Sequence, residues 1–213
     1  MTSMNFDDIQ DLELAFQSGN LPPLLVLPGS IPVLVSAPHA VTHWRDGREK
    51  NADLYTGALA LWLHAQTGCA VLAAGQSRNA DGNHDPASIS PYKQELARIL
   101  QDDPVKVVLD LHGAKASQPF DVELGTGPGW EGKSPLVQKA RLCFLTQGFN
   151  PEKIWSDRLF SAAKTETVTR FCIRDLKVPA LQLEINRKYR DPDNPENLAM
   201  LLNALKDLVI SCA

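Results

Sequence analysis

Val105-Lys106-Val107-Val108-Leu109-Asp110-Leu111-His112-Gly113 is an apolar run rich in β-branched residues that ends in an acid and an imidazole. Its apolar density predicts a strand over Val105–Leu111 that is covered on both faces. Outward from it, strands and helices alternate. Toward the N-terminus lie two short apolar runs, Leu24–Leu27 and Ile31–Ala37, parted by the turn residues Pro28-Gly29-Ser30. Leu54, Ala58, Leu61 and Ala65, spaced four, three and four, predict a helix over 53–67 that Gly68 stops. Cys69–Ala74 reads as a strand, and Tyr92, Leu96, Ile99 and Leu100 mark a helical face from Pro91 to about Asp103. Toward the C-terminus, the same criteria give a strand at Phe120–Leu124, helices at Pro135–Gln147 and Thr165–Asp175, and a strand at Pro179–Ile185. A closing helix from Pro195 carries Leu198, Leu201, Leu202, Leu205, Leu208 and Val209 on one stripe. This order predicts an α/β layered sandwich around a mostly parallel or mixed sheet.

The composition fits one packed domain over residues 1–213. The chain is 44% hydrophobic and 22% charged, with Pro and Gly scattered rather than bunched. A chain of this size buries roughly 70% of its unfolded surface, enough for a core without staples. The first twenty residues, ending in Ser18-Gly19-Asn20, read as a short helix or a loosely held arm. Lys and Arg total 21 against 25 Asp and Glu, a net charge of -4. No basic surplus exists to neutralise phosphates, so a nucleic-acid partner is not expected. Leu21–Val35 is interrupted by Pro22, Pro23, Pro28 and Pro32, and falls short of the ~18 apolar residues of a membrane helix. The first residues lack the basic-then-apolar pattern of a secretory signal. Cys69, Cys143, Cys172 and Cys212 form no CxxC pair and are expected as reduced, buried thiols of a cytoplasmic protein.

The polar residues that interrupt the apolar pattern fall at strand ends, where open α/β sheets hold their ligands. Ile31–Ala37 runs into Pro38-His39, Val105–Leu111 into His112-Gly113, and Pro179–Ile185 carries Glu184. A catalytic zinc takes three protein ligands and leaves a fourth position for water; two histidines and a carboxylate on separate strand ends suit it. The third ligand is open between Asp53, Glu49 and His43, all close to His39 in sequence, and Asp53 also suits the acidic first turn of a helix. Asp110 shares a strand face with His112 and can orient its ring, or make a solvent or cap contact instead. Glu184 shares a face with Gln182 and Asn186 inside an apolar segment, where an anion is costly to bury. It is read as a general base, with a salt bridge to Arg187 or Arg190 as the structural alternative. Ser77–Asp85 is a loop dense in polar groups that holds Arg78, Asp81, Asn83 and His84. There is no G-x-S-x-G, no P-loop and no G-x-G-x-x-G, and Gly125-Thr126-Gly127-Pro128-Gly129 reads as a mobile loop.

Taken in order, Ser36-Ala37-Pro38-His39-Ala40, Arg78…Asp81-Gly82-Asn83, Asp110-Leu111-His112-Gly113 and Leu183-Glu184-Ile185-Asn186-Arg187 resemble the motifs of the N-formylglutamate amidohydrolase family, which is related in fold to the carboxypeptidase A-like zinc exopeptidases. The resemblance spans roughly residues 30–190. It implies a three-layer α/β/α sandwich with a mixed, mostly parallel sheet, and a single Zn2+ (or another divalent metal) that activates water for amide hydrolysis. It also implies His39, His112 and Asp53 as metal ligands and Glu184 as the catalytic carboxylate. Asp81 would hydrogen-bond the first ligand histidine, and Arg78 and Asn83 would hold the substrate's carboxylate or carbonyl oxygen, with Arg78 placed to stabilise an oxyanion. The family pattern Asp-x-Asn-Arg reads Asp81-Gly82-Asn83-His84 here. His84 thus stands in the substrate-contact position without an arginine's bidentate fork, which puts formylglutamate itself in question as the substrate.

The expectation is a zinc-dependent amidohydrolase acting on a small N-acyl amino acid or related amide, with no nucleic-acid or membrane partner. The alternatives are a carboxypeptidase-like peptidase and a metal- or ligand-binding module of the same fold without catalysis.

Overall fold

The computed structural model describes residues 8–76, 80–129 and 134–213. Helix α1 (Asp8–Gln17) leads into β1 (Leu24–Leu27) and β2 (Val33–Ala37), then a short hairpin of β3 (His43–Arg45) and β4 (Arg48–Lys50). Helix α2 (Thr56–Thr67), β5 (Ala70–Ala74), α3 (Pro91–Asp102), β6 (Val107–Ala114), β7 (Val122–Gly125) and α4 (Pro135–Thr146) follow. The chain closes with β8 (Ile154–Ser156), α5 (Val168–Phe171), β9 (Ala180–Asn186), α6 (Arg187–Arg190) and α7 (Pro195–Ser211). Seven strands form one mixed sheet in the order β1-β5-β2-β6-β9-β7-β8. Its centre, β5-β2-β6-β9, is parallel, and β1 and β7 pair antiparallel to it. The α/β architecture read from the sequence is the one found.

Three local differences have physical causes. Strand β6 runs on through His112 to Ala114, because β9 stays paired with it as far as Ala114 opposite Asn186. Asp46-Gly47, which the sequence suggests as loop, is the two-residue turn of the β3–β4 hairpin. Both residues have left-handed φ, 52° and 71°, as a type I′ turn requires. The helix expected over Thr165–Asp175 is a single turn, α5, that widens into a π turn at Cys172–Leu176 and ends at left-handed Lys177.

The two sheet faces differ, and that difference positions the site. Val33, Val35, Leu109, Leu111, Leu181, Leu183 and Ile185 face one way and are fully buried with α2, α4 and α7. Each such aliphatic side chain contributes about 1.5–3 kcal/mol by leaving water, so this face carries most of the sheet's cohesion. The intervening residues face α3 and α5. There Leu34, Val108 and Ala180 are apolar, and toward the carboxyl ends Ser36, Asp110, His112, Gln182 and Glu184 take their place, all buried. Lys93 of α3 is also fully buried; its ammonium binds the carbonyl oxygens of Asp85 and Glu166 and ties two loops to this face. All four cysteines are free and buried. Among the described residues no helix is long and apolar enough to cross a membrane.

Helix α1 packs on α2 through Ile9 and Phe16, both buried. Its Glu13 accepts a hydrogen bond from the backbone N–H of Tyr55 at 2.8 Å. Burial raises the Glu13 carboxyl from 4.5 to about 7, against the lowering by that bond. A carboxyl whose folded pKa is raised favours the fold in its protonated form, so stability falls as pH climbs from 4.5 to about 7. Glu13→Gln keeps an acceptor for Tyr55 without the charge. Its melting midpoint should exceed the wild-type value at pH 8 and match it near pH 4.5; equal midpoints at both pH values would show that Glu13 titrates normally.

Candidate metal centre

Because β2, β6 and β9 are parallel neighbours, their carboxyl ends share one edge. His39 follows β2 by two residues, and His112 in β6 lies opposite Glu184 in β9. The hairpin then returns the chain so that the Asp53 N–H donates to the His39 carbonyl at 2.8 Å. Three side chains converge as a result. His39 Nδ1 and His112 Nδ1 are 3.2 Å apart, and Asp53 Oδ2 is 3.4 Å from each. The far nitrogens are committed elsewhere: His39 Nε2 donates to Asp81 Oδ1 at 2.7 Å, and His112 Nε2 to Asp110 Oδ2 at 3.2 Å.

With each Nε2 on its aspartate, the Nδ1 atoms of both rings and Asp53 Oδ2 are the three atoms left to take a metal ion, which would displace the Nδ1 protons as it binds. A tetrahedral zinc with bonds of ~2.0–2.1 Å has ligand-to-ligand edges of about 3.3 Å, so the observed triangle fits such an ion. The charges agree. Burial acts against protonation of His39 and His112, but the carboxylates of Asp53, Asp81 and Asp110 outweigh it and raise both pKa values. Burial would raise the pKa of Asp53, yet the two imidazoles hold it well below the usual carboxylate range. The centre draws positive charge, and these three residues can hold a metal ion.

Each supporting acid is itself held. Asp81 also accepts from Arg45 Nε at 2.6 Å and from the Asn83 N–H at 2.9 Å. Asp110 accepts from the Ser36 hydroxyl at 2.8 Å, and Ser36 in turn contacts the Tyr92 hydroxyl at 2.9 Å. His39, His43 and Asp81 form a second cluster with metal-ligand spacing, but the Arg45 guanidinium already neutralises Asp81 and His43 stacks flat on His39 at 4.0 Å. Burial, then repulsion from His39, lowers the His43 pKa to about 4, so the ring is neutral. Glu49 is exposed on β4, outside both clusters. Of the three residues considered for the third position, Asp53 is the one beside both imidazoles.

Glu184 is buried and accepts from Gln182 Nε2 at 3.0 Å. Burial raises its pKa to about 7, partly offset by His112. Among the described residues it forms no ion pair with Arg187 or Arg190. Arg190 is instead buried, with its guanidinium on the carbonyls of Ile185, Leu54 and Ala114. Asn83 and His84 line a cavity of about 550 Å³ that also touches His39, Asp53, His112 and Glu184. The Asn83 carboxamide oxygen accepts from the Val168 N–H at 2.7 Å. A second cavity of about 860 Å³ adjoins the first and shares His39, Arg45, Asp53 and Lys115 with it. Arg78 lies outside the described residues.

Sequence reasoning passed over Arg45 and Glu123, and gave Gly113 no role beyond its place in the Asp110-Leu111-His112-Gly113 motif. Arg45 carries no motif, though the neighbouring Asp-Gly pair is a hairpin signal. Glu123, an acid in the alternating run Val122-Glu123-Leu124, is fully buried opposite Glu184 and accepts the N–H groups of Leu159 and Phe160, which line the smaller cavity. Gly113 follows His112, and a Cβ there would sit 2.6 Å from an Arg190 nitrogen and 2.9 Å from the Asp53 Cβ.

No protein-family model and no curated protein matches the sequence. Solved structures share its fold. An N-formylglutamate amidohydrolase from Ralstonia eutropha JMP134 aligns with a TM-score of 0.58 at 17% identity, over 90% of this chain and 97% of its own. A bacteriophage poly-gamma-glutamate hydrolase gives 0.54 at 14% identity, over 86% and 84%. A metallo-carboxypeptidase from Burkholderia cenocepacia gives 0.53 at 13% identity, over 96% and 70%. The chain therefore has a fold shared by amidohydrolases and carboxypeptidases, all three of these neighbours being hydrolases.

Gly113→Ala should overpack the contact between Arg190 and Asp53. A loss of about 1–3 kcal/mol is expected from such a clash, read as a lower urea midpoint with unchanged slope. Wild-type stability would mean that the buried guanidinium moves freely.

Proposed function

We propose that the chain is a zinc-dependent amidohydrolase that cleaves a small N-acyl amino acid or related amide. The observation that carries this is the triangle of His39 Nδ1, His112 Nδ1 and Asp53 Oδ2, with edges of 3.2–3.4 Å and a raised carboxyl at Glu184 in the adjoining strand. When bound, the ion supplies Lewis acidity that polarises a carbonyl and acidifies nearby water. The chain's own residues do the rest. Asp81 and Asp110 accept from the two Nε2 atoms and fix the ring orientations, so that Nδ1 is the nitrogen turned toward the ion. Glu184, with a proton affinity matched to neutral pH, takes a proton from the attacking water and delivers it to the departing amine nitrogen. On the sequence resemblance, Asn83 and Arg78 are assigned to the substrate's carboxylate or carbonyl oxygen, and Asn83 and His84 both line the smaller cavity. The extent of the likeness supports an amidohydrolase over a peptidase, since the chain spans 97% of the formylglutamate amidohydrolase but 70% of the metallo-carboxypeptidase. Four free, buried cysteines support a reducing, cytoplasmic setting.

Metal analysis alongside hydrolysis of N-formyl and N-acetyl amino acids tests the assignment. Glu184→Gln should retain one zinc per chain and lose ~10²–10⁴-fold in kcat, the usual loss for a general base. Full turnover by that variant would remove Glu184 from the chemistry, and faster cleavage of peptides than of N-acyl amino acids would move the assignment to a carboxypeptidase. His39→Ala should not hold zinc. Asp81→Asn should weaken zinc binding by about 10–100-fold in a chelator competition.

A further inference from the structure

We infer that Arg45, on the β3–β4 hairpin, recognises a carboxylate carried by the amine half of the substrate and sets the enzyme's specificity. This rests on hydrolysis at the metal centre as proposed above. Arg45 borders both cavities beside His39 and Asp53. It sits immediately before a two-residue type I′ turn, so its backbone is held by a tight hairpin rather than a loop. Its Nε is committed to Asp81 Oδ2 at 2.6 Å, which fixes the plane of the guanidinium. Its two terminal nitrogens have no hydrogen-bond partner among the described residues, and the side chain is 34% exposed. That leaves the two terminal nitrogens of a residue that lines both cavities without a hydrogen bond among the described residues, and such a fork binds a carboxylate with two parallel hydrogen bonds.

Among the described residues the other cations that line the cavities do not offer this. The Arg190 guanidinium is committed to backbone carbonyls, and Arg187 stacks over Tyr55 with Asp191 3.8 Å away. Lys50, Lys115 and Lys164 line the cavities but are flexible point charges. Asp53 and Glu184 both line the smaller cavity, so a cation besides the proposed ion favours an anionic substrate there. His84 occupies the position where the sequence resemblance leads one to expect an arginine, and an imidazole has no fork. Arg45 reaches the same cavity from another part of the chain.

The test compares N-acetyl amino acids with their C-terminal carboxamides on zinc-loaded wild type, Arg45→Gln and Arg45→Lys. Wild type should prefer the acids in kcat/KM, and Arg45→Gln should reduce that preference ~10- to 100-fold, the range for losing a charge-assisted pair, mainly through KM. Arg45→Lys should recover part of it. Because Arg45 also supports Asp81, a purely structural role would lower acid and carboxamide turnover together and leave the ratio intact, which would overturn the inference. Calorimetric titration with the same acids and carboxamides reads recognition without turnover. Wild type should bind acids at least about tenfold tighter, a preference lost in Arg45→Gln; a preference that survives in Arg45→Gln belongs to the metal, and no preference in wild type also overturns the inference. Failure of the hydrolytic assignment looks different: no zinc-dependent cleavage of either set, with the binding preference intact.

Discussion

Three potential ligand atoms held within 3.4 Å of one another in a buried site need positive charge among them, from protons on the imidazoles or from a metal ion. Much of the surrounding structure serves to keep them there. The sheet register sets His112 beside Glu184, the hairpin returns Asp53 to the His39 backbone, and Asp81 and Asp110 hold the far nitrogen of each ring. Two further layers restrain those acids: a guanidinium and a backbone N–H on Asp81, and a serine–tyrosine chain on Asp110. A buried carboxylate is tolerable only when its lone pairs are satisfied, and here each supporting acid is satisfied more than once.

The sheet can hold such a concentration of charge because its two faces do different work. On the face toward α2, α4 and α7 the packing is apolar, with aliphatic sheet residues against aliphatic and aromatic helix residues. The opposite face is apolar only at the amino ends of its strands and turns polar toward their carboxyl ends. Period-two alternation in β2, β6 and β9 writes both patterns into the same residues. Cohesion and chemistry are thus separated by a half-turn of backbone rather than by distance.

That alternation is why so much was legible in the sequence. His39, His112 and Glu184 announced themselves as polar groups at the ends of apolar runs, and Asp110 by sharing a face with His112. Asp53 could not be told from Glu49 or His43, because the choice depends on where a hairpin brings the chain back, and proximity in sequence to His39 is common to all three. The extension of β6 through Ala114 is a property of its partner strand, not of residues 112–114. Arg45 is set by tertiary contacts alone: nothing in Trp44-Arg45-Asp46 indicates that its guanidinium meets an aspartate 36 residues later.

Tyr55 adopts a left-handed backbone, φ 71°, which a bulky L-residue keeps only under constraint. Its amide is held by the side chain of Glu13, and it lies two residues beyond Asp53. Helix α1 therefore acts as a brace for the segment that carries Asp53. Trimming the polypeptide to begin at its first strand, or fusing a bulky tag that pries the helix away, would release that kink and let the Asp53 carboxylate drift from the two imidazoles, even in an expression variant whose sheet is intact.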